Sequence, residues 1–338
     1  MKTNVLSSRR TQLLLAGSII FLIMAITRPN VFLTPLSMRA ILVQISDVGF
    51  FALAMAVVMI SRGVNFSIVN LANLSAIVCA MILRALVTDG MSSAHVYLII
   101  LLCLGVCIAI GVVGGIMNSV LIAELKVPAL LTTLGTMNLF LGFSMIITGG
   151  RAMFGIPEEL AHIGAGTVFG LPIPFLLFLV AVAIVYVIAH KTPYGSQLRL
   201  FGSNNHATMY SGISNRAVIY KTYILSGVLA ACAGLLILSR TKAATVDFGA
   251  PLVLNTLLIG VLSGIKPTGG VGNIINVFLA MLVIQLLNTG LTLLRVSGFV
   301  REMIPALLLV TILSLEHILL IRNERKLNKI AMEKNKAA

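Results

Sequence analysis

The sequence predicts an all-α, polytopic membrane helical bundle of about ten transmembrane helices. Three observations predict it. Hydrophobic residues make up 59% of the 338 positions and charged residues only 10%, whereas a soluble domain carries about 25% charge. Apolar runs of about twenty residues recur from Thr11 to Ile321, each long enough to cross a hydrocarbon core of about 30 Å. Lys and Arg gather at alternate ends of those runs. Inside a bilayer the backbone must satisfy its own hydrogen bonds, and helices do so segment by segment. No long polar block interrupts the pattern, so residues 1–338 read as one transmembrane domain.

The predicted spans, in order, are 11–27, 41–60, 68–86, 96–122, 127–147, 171–189, 220–238, 252–262, 274–294 and 303–321. The first has a basic start, and no small-residue cleavage site follows Met24-Ala25-Ile26-Thr27, so it reads as a retained span. The second to sixth are plain apolar runs, and Gly111 with Gly115 lets helices approach closely in one of them. The eighth, 252–262, starts after Pro251 and reaches only about halfway across at 1.5 Å per residue. It is either a half-helix of the kind that lines transport pathways or a tilted full span. Gly260 and Gly264 form a second small-residue pair there. A basic tail, 322–338, closes the chain.

The net charge of +14 is distributed by membrane side. Sixteen of the 24 Lys and Arg fall on the face that holds Arg9, Arg10, Arg62, Lys126, Lys191, Arg199 and the tail. That bias predicts a membrane protein with both termini cytoplasmic. Trp is absent and no aromatic residues interleave the basic ones, which excludes nucleic acid as a partner. The four cysteines, Cys79, Cys103, Cys107 and Cys232, sit in apolar runs and read as small packing residues. No metal or cofactor is expected.

The one long polar segment is 190–216, on the expected cytoplasmic side. Pro193 and Gly195 mark a turn. Asn204 or Asn205 is placed to cap a short helix through Ala207–Tyr210, with Gly212 stopping it. A loop of this length in a compact membrane protein usually carries function.

Enzymatic motifs are missing. There is no phosphate-binding Gly-rich loop ending in Lys-Ser/Thr and no His-Glu-x-x-His, and the five histidines are scattered. At membrane depth the only ionisable candidate is Asp47, near the outer end of its span, with Gln44 one turn earlier. Neutral polar groups are more numerous: Asn70, Asn73, Asn118, Thr132, Thr133, Thr136, Asn138, Asn255, Gln285 and Asn288. An unpaired amide in hydrocarbon is costly. Each is therefore either interhelical glue or part of a wet cavity, and as a set they suit a polyhydroxylated solute better than an ion. Asn70, Asn73, Asn118, Thr133, Thr136, Asn138 and Asn255 are the candidate path.

The sequence also resembles a known family, the permeases of ribose-, xylose- and autoinducer-2-type bacterial ABC importers. The ordered blocks that carry the resemblance are Ala52-Leu53-Ala54-Met55 through Ser61-Arg62-Gly63-Val64-Asn65-Phe66-Ser67; Val127-Pro128-Ala129 with Thr133-Leu134-Gly135-Thr136 and Thr148-Gly149-Gly150; Thr192-Pro193-Tyr194-Gly195 with Gly202, Asn204 and Ser211-Gly212-Ile213; Ser226-Gly227, Ala233-Gly234 and Ser239-Arg240; and Gly264 with Gly269-Gly270-x-Gly272. They span 51–313. The resemblance implies a fold similar to that of vitamin B12 importer permeases and a dimer with a second copy or a related permease. It also implies cytosolic ABC ATPase subunits and a periplasmic or lipoprotein solute-binding protein. On it, Gly195, Gly202, Asn204, Ala207, Ser211 and Gly212 form the ATPase-coupling element, and the passenger is a pentose, polyol or autoinducer-2-like solute.

Several positions depart from the family pattern: Asn65 and Val253 stand where acids are usual, Arg62 and Ser263 where Gly is usual, and Thr208 where Ala is usual. The lost acids raise the alternative of a partner permease in a heterodimer. A carrier driven by an ion gradient is the other alternative, and it needs a charged site at depth.

Overall fold

The structure, a computed structural model, describes residues 8–314 apart from 89. Eight of its helices are long and apolar enough to cross a membrane. They are α1 (Arg9–Thr27), α3 (Pro35–Ile60), α4 (Ile68–Leu86), α5 (Ser93–Ala123), α6 (Ala129–Thr148), α8 (Ile173–Lys191), α11 (Asn215–Thr241) and α13 (Ile274–Leu293). Shorter elements are α2 (Pro29–Phe32), α7 (Glu158–Ala165), a two-residue hairpin of β1 (Thr167–Val168) and β2 (Leu171–Pro172), α9 (Pro193–Ser203), α10 (Asn205–Tyr210) and α12 (Leu252–Leu262). The tenth expected span is helical over 298–314, and the rest of it, with the tail 322–338, lies outside the described residues.

The core is built round α3 and α11, the two helices most enclosed by the others. Small residues set how closely α11 meets α5. A Cβ on Gly111 would lie 2.6 Å from the Gly227 carbonyl oxygen, and one on Gly115 would lie 2.6 Å from the Tyr223 carbonyl oxygen. The expected Gly111–Gly115 contact is therefore present, backbone against backbone. The second pair is different. Gly260 packs on the Met59 thioether, while Gly264, at φ +87°, is the left-handed residue that ends α12. Its N–H and that of Ile265 return to the carbonyls of Val261 and Gly260, a helix stop that favours glycine.

Helix starts extend further than hydropathy suggested. Thr34 accepts from the Ser37 N–H ahead of Pro35 and starts α3 six residues early. Ser214 accepts from Ala217 N–H and starts α11 among polar residues.

Candidate functional site

One end of the bundle collects the basic loops. The Arg9 guanidinium donates to the Leu262 carbonyl at 2.9 Å, so the start of α1 meets the end of α12. Arg216 pairs with Glu124 at 3.1 Å, joining α11 to the end of α5. The end of α3 closes with Arg62 N–H to Met59 O and Gly63 N–H to Val58 O. This puts Arg62 at φ +67° in a place that favours glycine. A cavity of about 190 Å³ lies here between residues 61–63, Ile122, Ala129, Phe201, Asn205 and Tyr223.

The segment 190–216 is wedged into this end. Tyr194 and Thr222 share a hydroxyl hydrogen bond of 2.8 Å, and burial pushes the Tyr194 phenol up to about 12. Arg199 donates to the Ala189 carbonyl at 2.8 Å. Gly195 and Gly202 are places of backbone contact: a Cβ would lie 2.0 Å from the Ala189 carbonyl oxygen in the first and 2.0 Å from the Ile60 carbonyl oxygen in the second. Gly270 N–H donates to that same Ile60 carbonyl at 2.9 Å. Asn204, rather than Asn205, caps α10 by accepting from Ala207 N–H at 3.1 Å. Ser211 donates to the Ala207 carbonyl at 3.0 Å, and Gly212 sits at φ +73° in open space. Thr208 is buried and donates to the Asn205 carbonyl at 2.8 Å, which accounts for a hydroxyl at that position. Around it the tip is exposed: Met209 is 66% accessible and Tyr210 94%. Neither had been singled out from the sequence, although an apolar pair in a polar loop was a usable signal.

The seven candidate path residues divide into two groups. Asn118 donates to Ser67 Oγ at 3.0 Å and accepts from the Thr136 hydroxyl at 2.7 Å. Ser67 in turn donates to Asn65 Oδ1 at 2.7 Å, and Asn65 donates to Ser226 Oγ at 3.0 Å. Thr133 donates to the Ala129 carbonyl at 2.9 Å, and the Tyr223 hydroxyl donates to the Val64 carbonyl. This buried network pins the α3–α4 turn from three helices. Each of its amides both donates and accepts inside the chain, and the neutral side chain of Asn65 donates to Ser226 and accepts twice from Ser67. Asn70 donates to the Met137 carbonyl on α6 at 2.9 Å and is half-buried.

Asn73 donates at 2.9 Å to the carbonyls of both Val246 and Phe248. It lies about 8 Å along α4 from Ile68. The chain after α11 therefore dips back into the membrane, and α12 rises from that depth to Arg9. Leu252–Leu262 is a half-helix. Two residues remain outside any interhelical bond. Asn138 is exposed and donates only to Leu134 O on its own helix. Asn255, half-buried near the start of α12, has no side-chain hydrogen bond among the described residues.

Asp47 has the partner that the sequence did not reveal. Arg240, in the last turn of α11, meets its Oδ2 at 2.7 Å, and Asp47 Oδ1 is buried without a partner. The pair braces α3 against α11 near the end opposite the basic loops. Cys79 and Cys107 bring their Sγ atoms to 3.2 Å between α4 and α5. Among the described residues no three His, Cys, Asp or Glu gather to hold a metal.

Comparison with known proteins gives the family. The model of the family described as branched-chain amino acid transport system / permease component matches residues 37–313. The ribose import permease protein RbsC of Bacillus subtilis is 32% identical over 86% of this chain and 87% of its own length. The autoinducer 2 import system permease protein LsrC of Photorhabdus laumondii is 30% identical over 78% of this chain and 75% of its own. LsrD of the same organism is 30% identical over 81% of this chain and 82% of its own. No solved structure matches. By this family model and these relatives, the chain belongs to the family of bacterial import permeases that includes the ribose and autoinducer 2 proteins.

Proposed function

We propose that this chain is the pore-forming subunit of an ABC importer that takes up a small sugar or sugar-like solute: a pentose, a polyol or an autoinducer-2-like compound. ATP is hydrolysed on separate cytosolic subunits, and an external binding protein, periplasmic or lipid-anchored, delivers the solute. Both termini and the basic end face the cytoplasm. The observation that carries this reading is the α9–α10 segment. Its tip, Ala207, Met209, Tyr210, Ser211 and Gly212, is presented to solvent. Its base is locked to the end of α3 through Gly202 and Gly270. A displacement at the tip is thus passed to α3, one of the two most enclosed helices of the bundle. Asn138 and Asn255, with no bond to another helix among the described residues, remain the foremost path candidates, and half-buried Asn70 spends only its amide nitrogen, on Met137. Asn73, Asn118, Thr133 and Thr136 already use their polar groups internally. Passage of a neutral solute also fits a chain whose ion pair at depth, Asp47–Arg240, is mutually neutralised.

The test is uptake by the reconstituted importer. Gly212→Arg should insert normally but uncouple ATP hydrolysis from uptake. Normal uptake by that variant would remove the segment from the mechanism. Uptake blocked by vanadate and indifferent to an uncoupler supports ATP drive; the reverse pattern favours an ion-coupled carrier. A heterodimer is a second reading. One organism carries two distinct autoinducer 2 permeases similar to this chain, and Val253 lacks the acid usual at its position. A tagged copy purified from its own host brings down either a distinct permease or only itself.

A further inference from the structure

A groove of about 480 Å³ opens between α1 and α13, lined by Leu13, Leu14, Gly17, Ser18, Leu282 and Val283 among others. Ser18 contributes its only polar side chain. The groove has direction. Towards one end it closes, where Met24 packs on Gly290 and Phe21 meets Phe32 edge-on at a centroid distance of 5.2 Å. From Leu13 to Leu22 it follows α1 for about 13 Å, close to one leaflet of a core about 30 Å thick. Its open end reaches the basic loops. Arg10 lies three and four residues before Leu13 and Leu14, on the same face of the helix. Arg9 is committed to the carbonyls at the end of α12. Arg10 is exposed, and its side chain has no ion pair or hydrogen bond among the described residues.

We infer that this groove is a binding site for an anionic phospholipid, one acyl chain lying along Leu13–Leu22 and the phosphate meeting Arg10. The apolar lining fits a hydrocarbon chain, the length fits one leaflet, and the unpaired guanidinium sits where the headgroup falls. Gly17 keeps the floor of the groove open; a Cβ there would reach only Val283, at an ordinary 3.5 Å. The bound lipid would adjoin the contact between Arg9 and α12, the half-helix of the proposed path. The inference is independent of the transport reading, because lipid retention is measured without solute or ATPase.

The protein is equilibrated in nanodiscs of equal phosphatidylglycerol and phosphatidylethanolamine, then released for native mass spectrometry. Wild type should retain one phosphatidylglycerol per chain in preference to phosphatidylethanolamine. Arg10→Gln should lower that preference about five-fold, the share of one basic residue at an anionic surface, and Arg10→Lys should keep it. Gly17→Leu fills the groove and should remove the bound lipid from a protein that still elutes as a single species. Equal retention of both lipids by wild type overturns the inference, as does full retention by well-folded Gly17→Leu. A cysteine at Ser18, in a cysteine-free background, supplies another refutation. Its cross-linking to the same position in a second copy, or to a cysteine placed within 315–338, would show that protein covers the groove.

Discussion

Replacing Gly202 with alanine asks whether α9 is locked to the core as tightly as its contacts indicate. The new Cβ would lie 2.0 Å from the Ile60 carbonyl oxygen and 2.4 Å from the Gly270 nitrogen, against 3.4 Å or more in ordinary contact. Both obstacles are backbone, which cannot rotate away. Either α9 moves by more than about an ångström or the 2.9 Å bond from Gly270 N–H to Ile60 O breaks. Overpacking costs about 1–3 kcal/mol, and losing the bond adds about 1 kcal/mol. The damage should be confined to the basic end, leaving membrane insertion intact. Thermal unfolding in detergent should fall by several degrees. In proteoliposomes, solute moved per ATP should fall more than ATP hydrolysis itself. Gly212→Ala is the control: no atom lies within 4 Å of its Cβ, and only the positive φ is strained, at about 1 kcal/mol. If Gly202→Ala keeps both the wild-type melting temperature and the wild-type coupling ratio, the wedge is not what transmits motion.

The other expectations concern the brace, the cap and the orientation. Asp47→Asn leaves Arg240 without its counter-charge and should destabilise the protein by about 1–3 kcal/mol, discounted because Arg240 is one-third exposed. The double change Asp47→Leu with Arg240→Met should recover most of that in the same melting assay; no recovery would mean that the pair does more than brace α3 to α11. Asn204→Ala removes the cap of α10, so amides 205–210 should exchange faster with deuterium by a factor matching about 1 kcal/mol, while those of α11 stay unchanged. Single cysteines at Ser203 and Ser92, both exposed, should label from opposite faces, Ser203 from the cytoplasm. Labelling from one side contradicts the topology.

Spans were legible where hydrophobicity and punctuation agree. Ile68–Leu86 and Leu252–Leu262 have the same limits in sequence and structure, because Ser67 and Pro251 precede them and polar or glycine residues follow. The starts of α3 and α11 were hidden, since Thr34-Pro35-Leu36-Ser37 and Ser214-Asn215-Arg216 signal a cap but lower the local hydropathy. The hairpin at 167–172 left no trace, being two residues a side and turned through Phe169 and Gly170 at positive φ. The coupling segment was readable because its polarity stands out in an apolar chain. The ion pair was not, since Asp47 and Arg240 are joined only by the packing of α3 on α11.

The path residues show why a list of buried amides is ambiguous. A polar side chain in a membrane helix reads identically whether its partner is a neighbouring helix or a solute. The discriminating quantity is unspent hydrogen-bonding capacity. Asn118, Asn65, Ser67 and Thr136 form a chain in which each group serves the next, leaving little to offer a passing sugar. Asn138 stands apart on α6, where Gly135 and Gly142 have no atom within 4 Å of their Cβ positions. In hydrocarbon that amide would carry a desolvation cost offset only by its bond to Leu134 O on its own helix. The dimer that the resemblance implies would remove the cost if a second permease covered this face and left the space between the two copies wet. In such an assembly the solute would move between subunits, beside Asn138 and the start of α12, while the internal network keeps the wall behind it rigid.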